Sequence, residues 1–280
     1  MSAHKVSVIV SSYNQPRSLR LALAGFAGQT DTDFDLTVAD DGSRDNVRLL
    51  VEEFAAGAPF PVRFMTQPDE GFRKGRIHND AVMATRGDQL IFCDGDCIPV
   101  SNFVAVHRAH YRPGTFCAGG RVVLTPEQSR ELTPEAVAAG DYERLLTPAW
   151  RLSLRWVHWK NILYRTVGMR YKPKMLGCNW SVDRGVLLEV DGFDEMFNQM
   201  SGYDSDVRNR LRNLGAPGIS LWDKAFVLHL NHSLDPERYA FGGSRKRKDR
   251  ELYEGSRKRV KAMKGISSRD VTRTAEERGP

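Results

Sequence analysis

Residues 89–96 read Gln89-Leu90-Ile91-Phe92-Cys93-Asp94-Gly95-Asp96, an apolar run that ends in two acids one residue apart. A short apolar run bounded by a turn signal reads as a buried strand. Carboxylates at i and i+2 of an extended segment lie on one side of it. Together they make a hard-cation site that suits magnesium or manganese better than zinc. An ion there could neutralise a leaving diphosphate, and Gly95 leaves room for a bulky anion to approach the backbone. Taken alone, Asp-Gly is also among the commonest turn signals, so the surrounding pattern has to decide.

Upstream, the same unit recurs. Val6-Ser7-Val8-Ile9-Val10 is a short β-branched run ended by the polar Ser11-Ser12-Tyr13-Asn14-Gln15-Pro16, and a helical stretch with Leu19, Leu21, Leu23 and Phe26 on its apolar side follows. A second strand, Leu36 to Ala39, leads into Asp40-Asp41-Gly42-Ser43. After it a helix over about 46–56 carries Val47, Leu50, Val51 and Phe54 at helical spacing, and Val62 to Met65 reads as a third strand. Alternating strands and amphipathic helices imply an α/β fold with a Rossmann-like, mostly parallel sheet and helices on both faces. Ligands of such sheets bind outside the carboxyl ends of the strands. Ser11, Asp41 and Asp94 occupy those ends and are expected in one crevice. No internal repeat is evident.

The composition is that of a soluble globular protein, 41% hydrophobic and 27% charged over 280 residues. No signal-peptide pattern or membrane span is visible, so a cytoplasmic location is the expectation. Cys93, Cys97, Cys117 and Cys178 form no CxxC pair and are expected as reduced, buried thiols. The net charge of +6 is concentrated at one end: residues 241–280 hold 13 Lys or Arg against 6 Asp or Glu, while residues 1–240 hold 28 against 29. A basic tail on a neutral body fits either a peripheral contact with an anionic membrane or a solubilising role. Within residues 125–174, Trp150, Trp156, Trp159, Tyr164 and Tyr171 are interleaved with Arg151, Arg155, Lys160, Arg165, Arg170, Lys172 and Lys174. Such a segment could lie in a bilayer interface, line a saccharide cleft, or pack on the core under snorkelling arginine stems.

At the second strand's end one carboxylate of Asp40-Asp41 can project into the crevice and accept a uracil N-H, with Ser11 in reach of the same base. The alternative duty for these residues is capping of the following helix.

The runs Val6 to Asn14, Val38 to Ser43 and Asp94-Gly95-Asp96, in this order, resemble family 2 nucleotide-sugar glycosyltransferases with the GT-A fold. The stretch Gly71 to Ala81 is similar to that family's segment under the nucleotide. The resemblance implies that Asp41 holds the uracil, that Ser11, Tyr13, Arg76, Asn79, Asp94 and Gly95 belong to the nucleotide site, and that Asp96 binds metal with Asp94 assisting. In the carboxyl half, Gly177-Cys178-Asn179-Trp180-Ser181, Gly192-Phe193-Asp194-Glu195 and Gly202-Tyr203-Asp204-Ser205-Asp206 resemble the acceptor-side module of β-1,4-galactosyltransferases and chondroitin-polymerase-type enzymes. Tyr203 stands where that pattern has a glutamate. The resemblance implies sugar contacts from Asn179, Trp180 and Tyr203, and Asp204 as the general base of an inverting transfer. Asp204 opens a helical run stopped by Gly215, and a helix N-terminus favours its ionised form. In isolation it would read as an N-cap. His232, and beside it His229, would complete the metal shell, tilting preference towards manganese.

The expected organisation is therefore a nucleotide-sugar half over 1–124, an aromatic and basic insertion over 125–175, an acceptor-side catalytic half over 176–240, and a basic tail over 241–280. Within that tail Gly242-Gly243-Ser244 reads as a hinge whose following cations could fold over the diphosphate. The expected activity is a metal-dependent (Mn2+ or Mg2+) transfer of a hexose or N-acetylhexosamine from a UDP-sugar to a saccharide or lipid-linked saccharide. A sugar nucleotidyltransferase is the second enzymatic expectation, weakened because no glycine-rich loop follows the first strand. A nucleic-acid binder is the third, opposed by the neutral body and the strand-end acids.

Overall fold

The computed structural model describes residues 4–44, 46–169, 175–198, 202–232 and 244–269, with the side chains of 244–248 excluded. In chain order the first elements are β1 (Val6–Ser12), α1 (Pro16–Ala27), β2 (Asp35–Asp40), α2 (Val47–Gly57), β3 (Val62–Thr66), α3 (Lys74–Ala84) and β4 (Gln89–Asp94). β5 (Cys97–Pro99), α4 (Phe103–Ala109) and β6 (Phe116–Val123) follow. The insertion comprises α5 (Pro126–Glu131), α6 (Pro134–Ala138), a 3-10 turn and α7 (Pro148–Thr166). The chain then returns through β7 (Asn179–Asp183), α8 (Arg184–Glu189), α9 (Tyr203–Leu214) and β8 (Gly218–His229), and ends in α10 (Ser244–Ser256) and a second 3-10 turn.

The helices begin where their caps place them. Asn46, ahead of α2, accepts from the Leu49 N-H, taking the capping duty that Asp40 or Ser43 could have filled. Thr147 caps α7 in the same way, with Pro148 at the first helical position.

Among the described residues the strands form one sheet in the order β3-β2-β1-β4-β7-β6-β8-β5. β3, β2, β1 and β4 are parallel neighbours, and β6 pairs β8 in parallel, whereas β7 runs antiparallel to β4 and β6 and β5 runs antiparallel to β8. β7 from the carboxyl half sits between β4 and β6. The described strands of the amino-terminal and carboxyl halves therefore share one sheet.

Alternation along the strands builds a core on each face. Val8, Val10, Ile91 and Cys93 face one side with α1 and α2, and Ile9, Leu90, Phe92 and Trp180 face the other with α3, α8 and α9. On that second face Trp180 stacks on Phe92 (4.5 Å), Phe193 meets Phe92 edge-on (5.2 Å), and Tyr203 stacks on Phe193 (5.1 Å). Each such pair is worth about 0.5–1.5 kcal/mol beyond area burial. The column fixes the start of α9 against the sheet.

The carboxyl segment corrects the expectation of a basic tail. Residues 256–269 dock on the body. The Glu195 and Ala262 N-H groups donate to the carbonyls of Lys264 and Val190. Arg259 pairs with both Asp194 (2.9 Å) and Asp206 (2.7 Å), two fully buried carboxylates, and Arg210 also pairs with Asp206. Arg269 reaches Asp80 and Glu195. A buried acid is costly unless it is paired, so these cations belong to the interior. The glycine hinge at 242–243 lies outside the described residues.

Candidate active site

The sheet's winding reverses at β1, which sends β2 and β3 to one side and β4 to the other. A crevice at such a switch point collects the ends of several strands. Here it is a cleft of about 250 Å³ whose walls include Ser11, Tyr13, Asp41, Asp94, Asp96, Tyr203, Asp204, His229 and His232.

Asp40 and Asp41 divide their duties. Asp40 is tied to the Ser43 N-H, the Ser43 hydroxyl and Thr66, which fixes the turn. Asp41 lines the cleft, accepting from the Gln67 amide and from the Arg73 N-H at 3.1 Å. Gly42 turns the chain with φ +84°, and a Cβ there would stand 2.6 Å from the Asp69 backbone nitrogen. Only glycine fits that turn without strain.

β4 ends at Asp94 and a turn intervenes before β5; both acids line the cleft, each with its own partners. The register that pairs Ser11 with Asp94 brings the Ser11 hydroxyl to Asp94 Oδ1 at 2.8 Å, and Lys74 Nζ reaches the same oxygen at 2.5 Å. Asp94 is thereby neutralised by a lysine. Gly95 serves backbone packing, because its N-H bonds the Ser11 carbonyl and a Cβ would press on that oxygen.

Asp96 turns towards two histidines. β5 and β8 pair with Cys97 opposite His229, and the Leu230 N-H holds the Asp96 carbonyl. His232 Nε2 lies 2.9 Å and His229 Nε2 3.5 Å from Asp96 Oδ2. Burial pushes the Asp96 carboxyl up, but the His232 hydrogen bond and the His229 charge outweigh it and hold the group below the usual carboxylate range. The Gln15 amide, 3.1 Å from His232 Nδ1, leaves Nε2 aimed at the acid. Cys97 Sγ lies 3.2 Å from Asp96 Oδ1, but burial pushes this thiol well above its ordinary range, so it orients the acid as a neutral donor.

Among the described residues, Asp96, Cys97 and His229 bring ligand atoms within 4.8 Å of one another, and His229 Nδ1 is buried with no hydrogen-bond partner. One carboxylate and two imidazoles are a donor set for a divalent transition-metal ion. Asp94, also expected in this shell, bonds Lys74 and Ser11 through Oδ1.

Across the cleft, α9 carries Asp204 in its first turn. Gly202 is the N-cap, so Asp204 is not the cap. Its oxygens accept from the Gly177 N-H (3.1 Å) and the Ser205 N-H (2.7 Å). Burial is the dominant influence and raises its pKa against those bonds. The expectation that the helix terminus governs this group is therefore corrected: its burial in the cleft wall decides. Tyr203 lines the cleft with its hydroxyl 2.6 Å from His78 Nδ1.

Four expected site residues lie elsewhere. Arg76 is exposed and absent from the cleft wall; it sits two positions past Lys74 on α3, about 200° around the helix. Asn79 is buried and clamps the Phe193 backbone and Glu195. Asn179 is held by His107 and the carbonyls of Gly120 and Ala225, and Trp180 belongs to the aromatic column. Both β7 residues point into the sheet's two buried faces. Sequence reading missed Lys74, Gln15 and Arg121, the last an exposed cation reaching the cleft from β6. Lys74 was within reach, since it precedes Arg76 at the opening of a helix beside the acids.

An α/β sheet with acids at its strand ends, a cation beside them and a buried carboxylate in the same cleft suits group-transfer chemistry. The model of the family described as glycosyl transferase family 2 matches residues 7–186, more than half of the sequence, and the chain belongs to that family. It is 25% identical over 223 residues to the validoxylamine A glucosyltransferase of Streptomyces hygroscopicus subsp. jinggangensis, a match covering 76% of this chain and 52% of that one. A stretch of 95 residues, 34% of the chain, is 28% identical to 14% of the Escherichia coli chondroitin synthase. An uncharacterized Bacillus subtilis glycosyltransferase, YfnE, is 38% identical over 109 residues, 38% of this chain and 27% of that one. The chain thus covers less than two thirds of each of these relatives. Two solved structures share the GT-A fold: S. aureus TarS 1-349 in complex with UDP-GlcNAc (TM-score 0.59, 18% identity, 89% of this chain and 64% of that one) and a mannosyltransferase from Pyrobaculum calidifontis in complex with GDP-Man and Mn2+ (TM-score 0.57, 17% identity, 82% and 57%).

Proposed function

We propose that this glycosyltransferase moves a hexose or N-acetylhexosamine from a UDP-sugar to a hydroxyl of a saccharide or lipid-linked saccharide, with inversion at the anomeric carbon. The carrying observation is the convergence of Asp96, its two histidines and the buried Asp204 on one cleft. The UDP-GlcNAc in the S. aureus structure and the GDP-Man with Mn2+ in the Pyrobaculum structure support a nucleotide diphosphate sugar.

Asp41, at the closed end of β2, accepts the uracil imide N-H, and Tyr13 flanks the same wall. Lys74 and Arg121 supply positive charge to the diphosphate. Asp96, His232 and His229 would hold a divalent ion, which when bound supplies charge neutralisation at the leaving group. Asp204 takes the acceptor hydroxyl's proton on a carboxylate oxygen as the new glycosidic bond forms. Burial raises its pKa, which makes it a stronger base than a solvated aspartate. Tyr203 gives the acceptor side an aromatic wall.

The test is UDP release from a panel of UDP-sugars with and without Mn2+. Release with at least one donor, lost in Asp96→Ala, is the expected result. No release from any donor, unchanged by Asp96→Ala, overturns the proposal.

A further inference from the structure

α7 packs one side on the sheet and turns the opposite side outward. Leu154 reaches Gly120, His158 lies against Ser220 and Asp223, Asn161 is buried, and the Arg165 guanidinium donates to the Gly218 carbonyl. These four lie at i, i+4, i+7 and i+11, one face of a helix. Half a turn round, at the same spacing, stand Leu152, Trp156, Trp159 and Leu163, which are 69%, 68%, 62% and 57% exposed. Val167 and Met169 extend the stripe past the helix end, also exposed. The helix of 19 residues spans roughly 28 Å. Four outward leucines and tryptophans on a helix already anchored by its other face are not explained by packing, and a contiguous apolar patch marks an interaction site.

The charge of the helix selects the partner. Arg151, Arg155, Lys160 and Arg165 are its ionised side chains, and it carries no Asp or Glu. Arg155 and Lys160 flank the apolar stripe on its two sides. A second copy of the chain would set these cations against their own kind, whereas an anionic lipid surface matches them. Tryptophan and leucine between flanking cations is the pattern of a helix lying in a membrane interface.

We infer that α7 is a membrane-docking helix, seating Leu152, Trp156, Trp159 and Leu163 among the acyl chains of an anionic bilayer, with Arg155 and Lys160 at the headgroups. It places a lipid contact on the insertion, while Arg259 and Arg269 of the carboxyl segment are engaged in ion pairs with the body. α7 packs on β8, the strand that ends at His229, and the chain after it returns to the cleft wall at Leu176, Gly177 and Cys178. Docking by this face holds the acceptor side of the cleft beside the lipid surface. The inference does not depend on the donor or on the transfer mechanism.

The experiment is co-sedimentation of the full chain with vesicles of equal parts phosphatidylcholine and phosphatidylglycerol, and with vesicles of phosphatidylcholine alone, beside measurement of its mass in solution. Binding to the mixed vesicles is expected, with a blue shift of tryptophan emission. Trp156→Glu/Trp159→Glu should weaken that binding by about tenfold or more, and Arg155→Glu/Lys160→Glu should remove the preference for the anionic vesicles. All four side chains point outward, so the unfolding midpoints of both variants should match that of the parent chain. Equal sedimentation of parent and Trp156→Glu/Trp159→Glu overturns the inference. So does a parent chain that ignores both vesicles, or a dimer in solution that the tryptophan variant dissolves.

Discussion

The two sides of the cleft are built by different rules. On the β1–β4 side each functional group sits at the end of a parallel strand, and chain order alone delivers Ser11, Asp41 and Asp94 to the same edge. On the facing side Asp204 comes from a helix start, His229 and His232 from the end of β8, and Gly177 from a loop, brought together only by tertiary docking. The parallel side is set by strand register; the facing side depends on anchors between helix, loop and carboxyl segment, above all the buried network of Asp194, Asp206, Arg210 and Arg259. Damage should therefore be local on the first side and structural on the second.

The contrast is sharpest at Asp204. Asp204→Asn should lower the transfer rate by about 10³-fold or more with little change in UDP affinity, as measured by turnover and calorimetric titration of UDP. Loss of UDP affinity in step with rate would move Asp204 out of the base role. Arg259→Leu strips two buried carboxylates of their shared partner and should cost about 3–5 kcal/mol of stability, read by denaturant unfolding. On the parallel side, Lys74→Met should raise the donor KM by about tenfold, with the unfolding midpoint near that of the parent, because a charge-assisted bond of about 1.5–3 kcal/mol is lost at a partly open site.

The smallest effect is in pH. Asp204 has a folded pKa above the usual carboxylate value, so the acid limb of activity should fall off at higher pH than a solvated aspartate would give. The same shift fixes the sign for stability. The folded state favours the protonated acid, so the contribution is fully present below the unfolded pKa and is lost as pH rises through the folded one. Unfolding of the parent and Asp204→Asn across that window should therefore diverge in favour of the asparagine as pH rises.

The same division decides what the sequence disclosed. The strand-helix alternation of residues 6–96 declared the parallel sheet, and the hydrophobic spacing of α1 and α2 placed their buried faces. Chain order could not show that β7 would slot between β4 and β6. Asn179 and Trp180 accordingly read as sugar contacts, although strand pairing buries them. Asp94 and Asp96 do reach one cleft as their spacing suggested, but the turn between them, which gives each its own partners, could not be read from spacing alone. His229 and His232 were named from a resemblance, and it is the β5–β8 register that puts them beside Asp96. The basic character of residues 241–280 was visible; that Arg259 and Arg269 were destined for buried or half-buried acids was not, because their partners lie far away in sequence.

Arg269 is hydrogen-bonded to the Arg76 carbonyl and paired with Asp80 on α3 and with Glu195, so it ties the helix that presents Lys74 to the loop before α9. This clasp has a consequence for biosynthesis. A nascent chain emerging from the ribosome can pair its first strands early, yet α3 stays unbraced until residue 269 has been translated and freed. Truncation ahead of that point should leave a molecule that still forms its parallel sheet but yields to protease first along α3 and α9.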